Sequence, residues 1–101
     1  MANSYKTTVV EVTTTGSDVY LFTAPTGGCI VRNIMIYANG AATVTVKYDD
    51  RTTSAAIKKA TPAANETFEP FSAPLGMREA DSILVNTSAT LNALITYVEF
   101  T

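Results

Sequence analysis

Residues 29 to 38 read CIVRNIMIYA, and after Asn39-Gly40 the stretch Thr43–Tyr48 reads TVTVKY. β-Branched and aromatic residues dominate the first stretch, and neither Gly nor Pro interrupts it, so it predicts a long strand. One set of alternate positions carries Ile30, Ile34 and Ile36, and the other carries Cys29, Val31, Met35 and Tyr37. The strand is therefore apolar on both faces. Asn-Gly is the strongest two-residue hairpin signal, which makes Thr43–Tyr48 the expected returning strand.

The same strand grammar extends in both directions. Upstream, Tyr5–Thr13 is rich in Thr and Val, with Val10 and Val12 on one face and Val9 and Glu11 on the other. Gly16-Ser17-Asp18 marks a turn before Asp18–Thr23 (DVYLFT), and Ala24-Pro25-Thr26-Gly27-Gly28 then breaks pairing. Downstream, Asp49–Ser54 is a polar loop tip, followed by a short strand near Ala56–Ala60 and a turn over Thr61–Asn65. Glu66–Phe71 alternates around Phe68 and Phe71, with Pro70 making it an edge or bent strand. After a bend at Ala73–Met77, Arg78–Asp81 leads into Ser82–Asn86, and Leu91–Phe100 closes the chain. Ala55–Ala64 has the only helix-favouring composition, and Pro62 cuts it short. Seven or eight short strands, about ten residues apart, predict a single all-β domain over residues 1–101, an antiparallel β-sandwich or small jelly roll.

Composition narrows the chemistry. The 101 residues include no histidine and one cysteine. Ser-His-Asp and Cys-His catalysis, conventional zinc sites and an internal disulfide are all excluded. Seven basic and nine acidic residues give a net charge of −2, and the only adjacent basic pair is Lys58-Lys59. Duplex DNA binding draws its affinity from a clustered basic face, so no nucleic-acid partner is expected and the pair reads as a solvated edge strand. No apolar run is long enough for a signal peptide or a membrane span, so no membrane partner is expected. The acidic pairs Asp49-Asp50 and Glu79-Asp81 lack the spaced oxygen ligands of a calcium loop and read as solvated turns. Cys29, inside an apolar strand, reads as a buried, inert thiol. No catalytic, cofactor or metal-ligating residue is expected, and the chain reads as a non-enzyme.

The apolar content points outward instead. In Leu91–Phe100, Leu91, Ala93, Ile95 and Tyr97 face one way, and Leu94, Val98 and Phe100 the other. A sandwich strand in water ordinarily alternates apolar with polar. Two double-sided strands imply a second covering layer, either another subunit or the Asp49–Asn65 connection. Charged residues make up only 16% of the chain against about 25% in ordinary domains, which favours the subunit. The candidate protein–protein contacts are Val31, Met35 and Tyr37, or Leu94, Val98 and Phe100. A sugar-stacking platform built from Tyr5, Tyr20, Tyr37, Tyr48 and Tyr97 is the alternative from another class.

The order of these signals resembles a group of small tailed-bacteriophage virion proteins. Val19–Pro25 with Gly27-Gly28 matches a short strand running into a Pro-Gly turn. The strand Ile30–Asn39 ends in Asn, and Thr43–Val46 returns from it. Pro62–Thr67 matches a Pro-x-x-Asn-Glu-Thr turn, Pro74-Leu75 a Pro-Leu segment, and Leu94–Glu99 a closing strand. Where that pattern has Gly-Asp before the penultimate strand, this chain has Ala80-Asp81. The resemblance implies a non-enzymatic virion component with a sandwich or jelly-roll fold. The expected function is a capsid decoration or cement protein, with a neck, tail or fibre adaptor as the alternative. Its expected partners are the major capsid protein or another virion protein and further copies of itself. The expected location is the virion, after synthesis in a host cytoplasm.

Overall fold

The computed structural model describes residues 3–71 and 73–100, which form two antiparallel sheets and no helix. Nine strands follow in order: β1 (Asn3–Val12), β2 (Val19–Thr23), β3 (Cys29–Ala38), β4 (Val44–Asp49), β5 (Ser54–Ala60), β6 (Thr67–Phe68), β7 (Leu75–Met77), β8 (Ser82–Thr87) and β9 (Leu91–Phe100). The first sheet has the order β1-β9-β3-β6, with β7 also on β3, and the second has the order β2-β8-β4-β5. Counting β6 and β7 as one strand broken around Pro70 and Pro74 leaves eight strand positions.

The pairs β1·β9, β2·β8, β3·β6/β7 and β4·β5 are nested like the two arms of one long hairpin. Its tip is the Asp50–Thr53 turn, closed by Asp50 N–H to the Thr53 carbonyl at 3.1 Å. Rolling that hairpin so that β9 also pairs with β3, and β8 with β4, gives the jelly-roll order.

Two turns explain where the expected hairpins form and fail. Gly28 N–H reaches the Pro25 carbonyl at 2.9 Å, and Gly27 between them has φ 89°. Only glycine takes that third turn position without strain. Gly28 is fixed by space as well, because a Cβ there would sit 2.7 Å from the Met77 carbonyl oxygen. By contrast, Asn39-Gly40 does not make the expected hairpin. A type I′ turn needs positive φ at both central residues, and neither Asn39 nor Gly40 has it. Asn39 is tied across the sandwich end to Thr90, N–H to carbonyl at 3.1 Å and Nδ2 to Oγ1 at 3.1 Å. The chain therefore crosses to the second sheet, and β3 and β4 do not pair. The helix-favouring stretch Ala55–Ala64 is strand up to Ala60, because β5 completes an edge ladder on β4.

Between the sheets lies one core, with Val12, Ile34, Ile36, Val44, Val46, Ile83, Val85, Leu91 and Ile95 at its most enclosed positions. Phe22 and Tyr97 meet in it with ring centroids 4.8 Å apart. Cys29 is buried there, and that burial raises its thiol to about 11. At neutral pH it stays protonated and unreactive.

Candidate interaction surface

A one-residue irregularity in β3 decides which side chains face outward. The pairing with β9 runs Val31↔Tyr97 and then jumps to Asn33↔Thr96, leaving Arg32 as the extra residue of a β-bulge. Beyond the bulge the alternation inverts. Cys29 and Val31 point into the core before it, and Ile34, Ile36 and Ala38 do so after it. A face defined by strict alternation therefore mixes inside with outside. Of the expected contact residues, Val31 is corrected by the structure: it is 2% exposed and packs inside the sandwich. Met35 and Tyr37, four and six residues further on, lie on the outer face. So does Leu94, while Val98 is almost enclosed on that face and Phe100 is half-buried.

Register then arranges the outer face of the first sheet in rows. Val9, Leu94 and Met35 stand side by side across β1, β9 and β3, and so do Tyr5, Val98 and Ile30. The row between them is polar: Thr7, Thr96 and Asn33. Tyr5 and Val9 are 71% and 69% exposed, and Met35 is 37% exposed. A groove of about 180 Å³ runs along the Val9–Leu94–Met35 row beside Tyr37, whose hydroxyl donates to Asn65 Oδ1 at 2.8 Å. A wider depression of about 460 Å³ holds Tyr5, Ile30, Val98 and Phe100 together with Arg32. Cross-strand apolar pairs of this kind stabilise a sheet face even in water, but a face left uncovered still favours association.

The Asp49–Asn65 connection leaves the two apolar rows open and touches this face at Tyr37 through Asn65. It is strand β5 and its flanking turns, and β5 pairs with β4 in the opposite sheet. The five tyrosines do not form a shared platform either. Tyr5 and Tyr20 belong to different sheets, Tyr48 and Tyr97 are half-buried, and Tyr37 is bonded to Asn65.

A dense polar cluster sits at an end of the sandwich, and sequence reading misplaced its centre. Asp81 is 1% exposed, not a solvated turn residue. Its Oδ2 accepts the Tyr48 hydroxyl at 2.6 Å and lies 3.5 Å from Arg78 Nε, and Arg51 Nε lies 3.5 Å from Oδ1. Among the described residues, Oδ1 accepts no hydrogen bond. The Tyr48 hydrogen bond, with help from Arg78, holds the Asp81 carboxyl below its ordinary value despite burial. Burial and the same bond to Asp81 raise the Tyr48 hydroxyl. The cluster clamps the β4–β5 tip to the turn before β8. Asp49 and Asp50 act locally, taking the backbone N–H groups of Arg51, Thr52 and Thr53 at 2.7 to 3.0 Å. Among the described residues, no three His, Cys, Asp or Glu side chains gather as a metal site would require.

Positive charge is dispersed. Lys6 pairs with Glu99, Lys47 with Asp18, and Arg51 and Arg78 with Asp81, so four of the seven basic side chains have acidic neighbours. Lys58 and Lys59 are exposed on the β5 edge, as the sequence predicts. No protein-family model matches the chain, and no curated protein matches it.

Proposed function

We propose that this chain is a non-enzymatic structural component of a tailed-bacteriophage virion, a decoration protein that binds an assembled capsid and ties its subunits together. The observation that carries the assembly part is the outer face of the first sheet. Its two apolar rows are left open by the chain's own loops, with Met35 and Leu94 in one of them and Tyr37 beside it. The resemblance of the strand order and turn motifs supports the virion part. Burying such a face against the major capsid protein would contribute about 25 cal/mol for each Å² removed from water. A protein that binds only the assembled lattice stabilises that lattice by mass action. No cofactor, nucleic acid or membrane enters this mechanism.

Copy number in purified particles, measured by quantitative mass spectrometry against the major capsid protein, tests the reading. A simple whole-number relation to the capsid protein is the expected result, because closed symmetric shells impose one. A count limited to one or a few rings would move the protein to the neck or tail as an adaptor. Absence from particles would sink the virion reading. Within the shell, Met35→Asp or Leu94→Asp should abolish capsid binding while the chain stays folded.

A further inference from the structure

The edges of the sandwich are not protected alike. Natural sheets blunt exposed edges with lysines, prolines, bulges or very short strands, because unpaired N–H and C=O groups would otherwise recruit another chain. Edge strand β5 carries Lys58-Lys59 and a register break opposite Val46 and Lys47. Edge strand β2 is broken between Tyr20 and Phe22 and runs towards Pro25. On the far side of the first sheet, β6 and β7 are two and three residues long, with Pro70 and Pro74 between them.

Strand β1 lacks the proline, the bulge and the shortness of the other edges. It has 10 residues without Gly or Pro, and its register on β9 is unbroken from Asn3↔Phe100 to Val12↔Leu91. Its one lysine, Lys6, is held by Glu99 at 2.9 Å. Among the described residues, β1 makes no backbone hydrogen bond to any element besides β9.

We propose that β1 is a self-association edge on which a second copy of this chain pairs antiparallel, β1 against β1, about a two-fold axis at Thr7. The occupant is a second copy because the strand is its own complement in one register. A two-fold axis normal to a continuous sheet places residues of equal parity opposite each other, so the axis must fall on one residue. Centred on Thr7, Tyr5 opposes Val9 twice, Lys6 opposes Thr8 and Asn3 opposes Glu11. The two most exposed apolar side chains of the sheet then cover each other as aromatic and β-branched pairs, and no like charges meet. Centring on Lys6 brings two ammonium groups together, and centring on Thr8 sets Tyr5 against Glu11. Centring on Val9 shortens the ladder and puts Lys6 against Val12. The Thr7-centred dimer also carries both Val9–Leu94–Met35 rows on the same side of one extended sheet. This deepens the oligomeric element of the proposed function without depending on the virion.

The test uses the full chain in solution, followed by native mass spectrometry and sedimentation across a concentration series. A concentration-dependent dimer is expected. With mild oxidant, Thr7→Cys should give a disulfide-linked dimer and Thr8→Cys should not, because opposed Cβ atoms in such a pair lie about 4.5–5.5 Å apart. Cys29 is too buried to compete. Thr7→Lys, an exposed substitution, should raise the dimer dissociation constant about tenfold or more by placing like charges at the axis, with the thermal melt unchanged. A chain that stays monomeric throughout, cross-linking through Thr8→Cys instead, or a Thr7→Lys dimer of unaltered strength would each overturn the proposal. Copy number in particles is read separately, so either idea can fail while the other stands.

Discussion

The two outer faces of this sandwich are built from the same kind of strand and carry opposite chemistry. On the first sheet the outward rows are Val9–Leu94–Met35 and Tyr5–Val98–Ile30. On the second sheet, Asn86 stands beside Thr45, and Leu84, almost fully covered, lies between Lys47 and Tyr20, which is the one widely exposed apolar side chain described on that face. There Asp18 takes Lys47 Nζ and Asn86 Nδ2 at 3.0 Å each, which holds its carboxyl below the usual range. One face is finished by its own side chains and the other is not. Open apolar rows of this kind favour association, which is the property the proposed function uses.

The comparison can be broken most sharply inside one strand. Val31 and Met35 have the same parity in β3, yet the bulge at Arg32 puts the first in the core and the second on the open face. Val31→Asp should cost about 4 kcal/mol or more and remove the cooperative thermal transition, because it buries an unpaired carboxylate. Met35→Asp should change stability by only about 0.5 kcal/mol and leave the melt nearly in place. Equal damage at both positions would refute the bulge and with it the assignment of the two faces.

The clamp at the sandwich end sharpens the contrast between buried and exposed acids. Asp81→Asn, followed by urea denaturation at neutral pH, should lose about 1–2 kcal/mol as the charge-assisted bond from Tyr48 weakens. Because the folded carboxyl is held below its unfolded value, its contribution is present above about pH 4 and is lost as pH falls through the folded value. The Asn variant should therefore show a shallower loss of stability in acid than the parent chain. An identical acid profile would show that Asp81 does not titrate with folding.

Smaller effects follow from the backbone and the finished face. Ala80 is held at φ 69°, a conformation that costs an L-residue about 1 kcal/mol and glycine little. Ala80→Gly should raise stability by about 0.5 kcal/mol or slightly more in thermal denaturation, and a fall would mean that the turn is not strained. Lys47→Ala should shift stability by at most about 0.5 kcal/mol, since the pair with Asp18 is solvent-screened, and salt should erase the difference.

Much of the fold could be read from the sequence because strand signals are local. The bounds of β3 fall at Cys29 and Ala38 and those of β9 at Leu91 and Phe100, as the runs of β-branched residues predict. The core face of β9 through Leu91, Ala93 and Ile95 also follows the two-residue period. The outward face of the first sheet was legible only in part. Met35, Tyr37 and Leu94 were found, but Val31 was misassigned because a bulge adds one residue without leaving a compositional mark. Asp81 was misread for a related reason. Nothing next to it in the chain announces Tyr48, 33 positions away, as its partner.

Taken alone, the amino-acid sequence determined the all-β class, the positions of the turns at Gly27-Gly28 and Thr61–Asn65, the buried thiol at Cys29 and the surplus of apolar side chains. Each of these depends on the intrinsic preferences of residues within a few positions of one another. The tertiary structure decided the rest: that Asn39-Gly40 crosses between sheets, that β5 leaves the first sheet uncovered, which side chains the bulge turns outward, and that β1 has an open edge. Those outcomes depend on which distant strand supplies the hydrogen bonds, and pairing between remote segments is settled by the packing of the whole core.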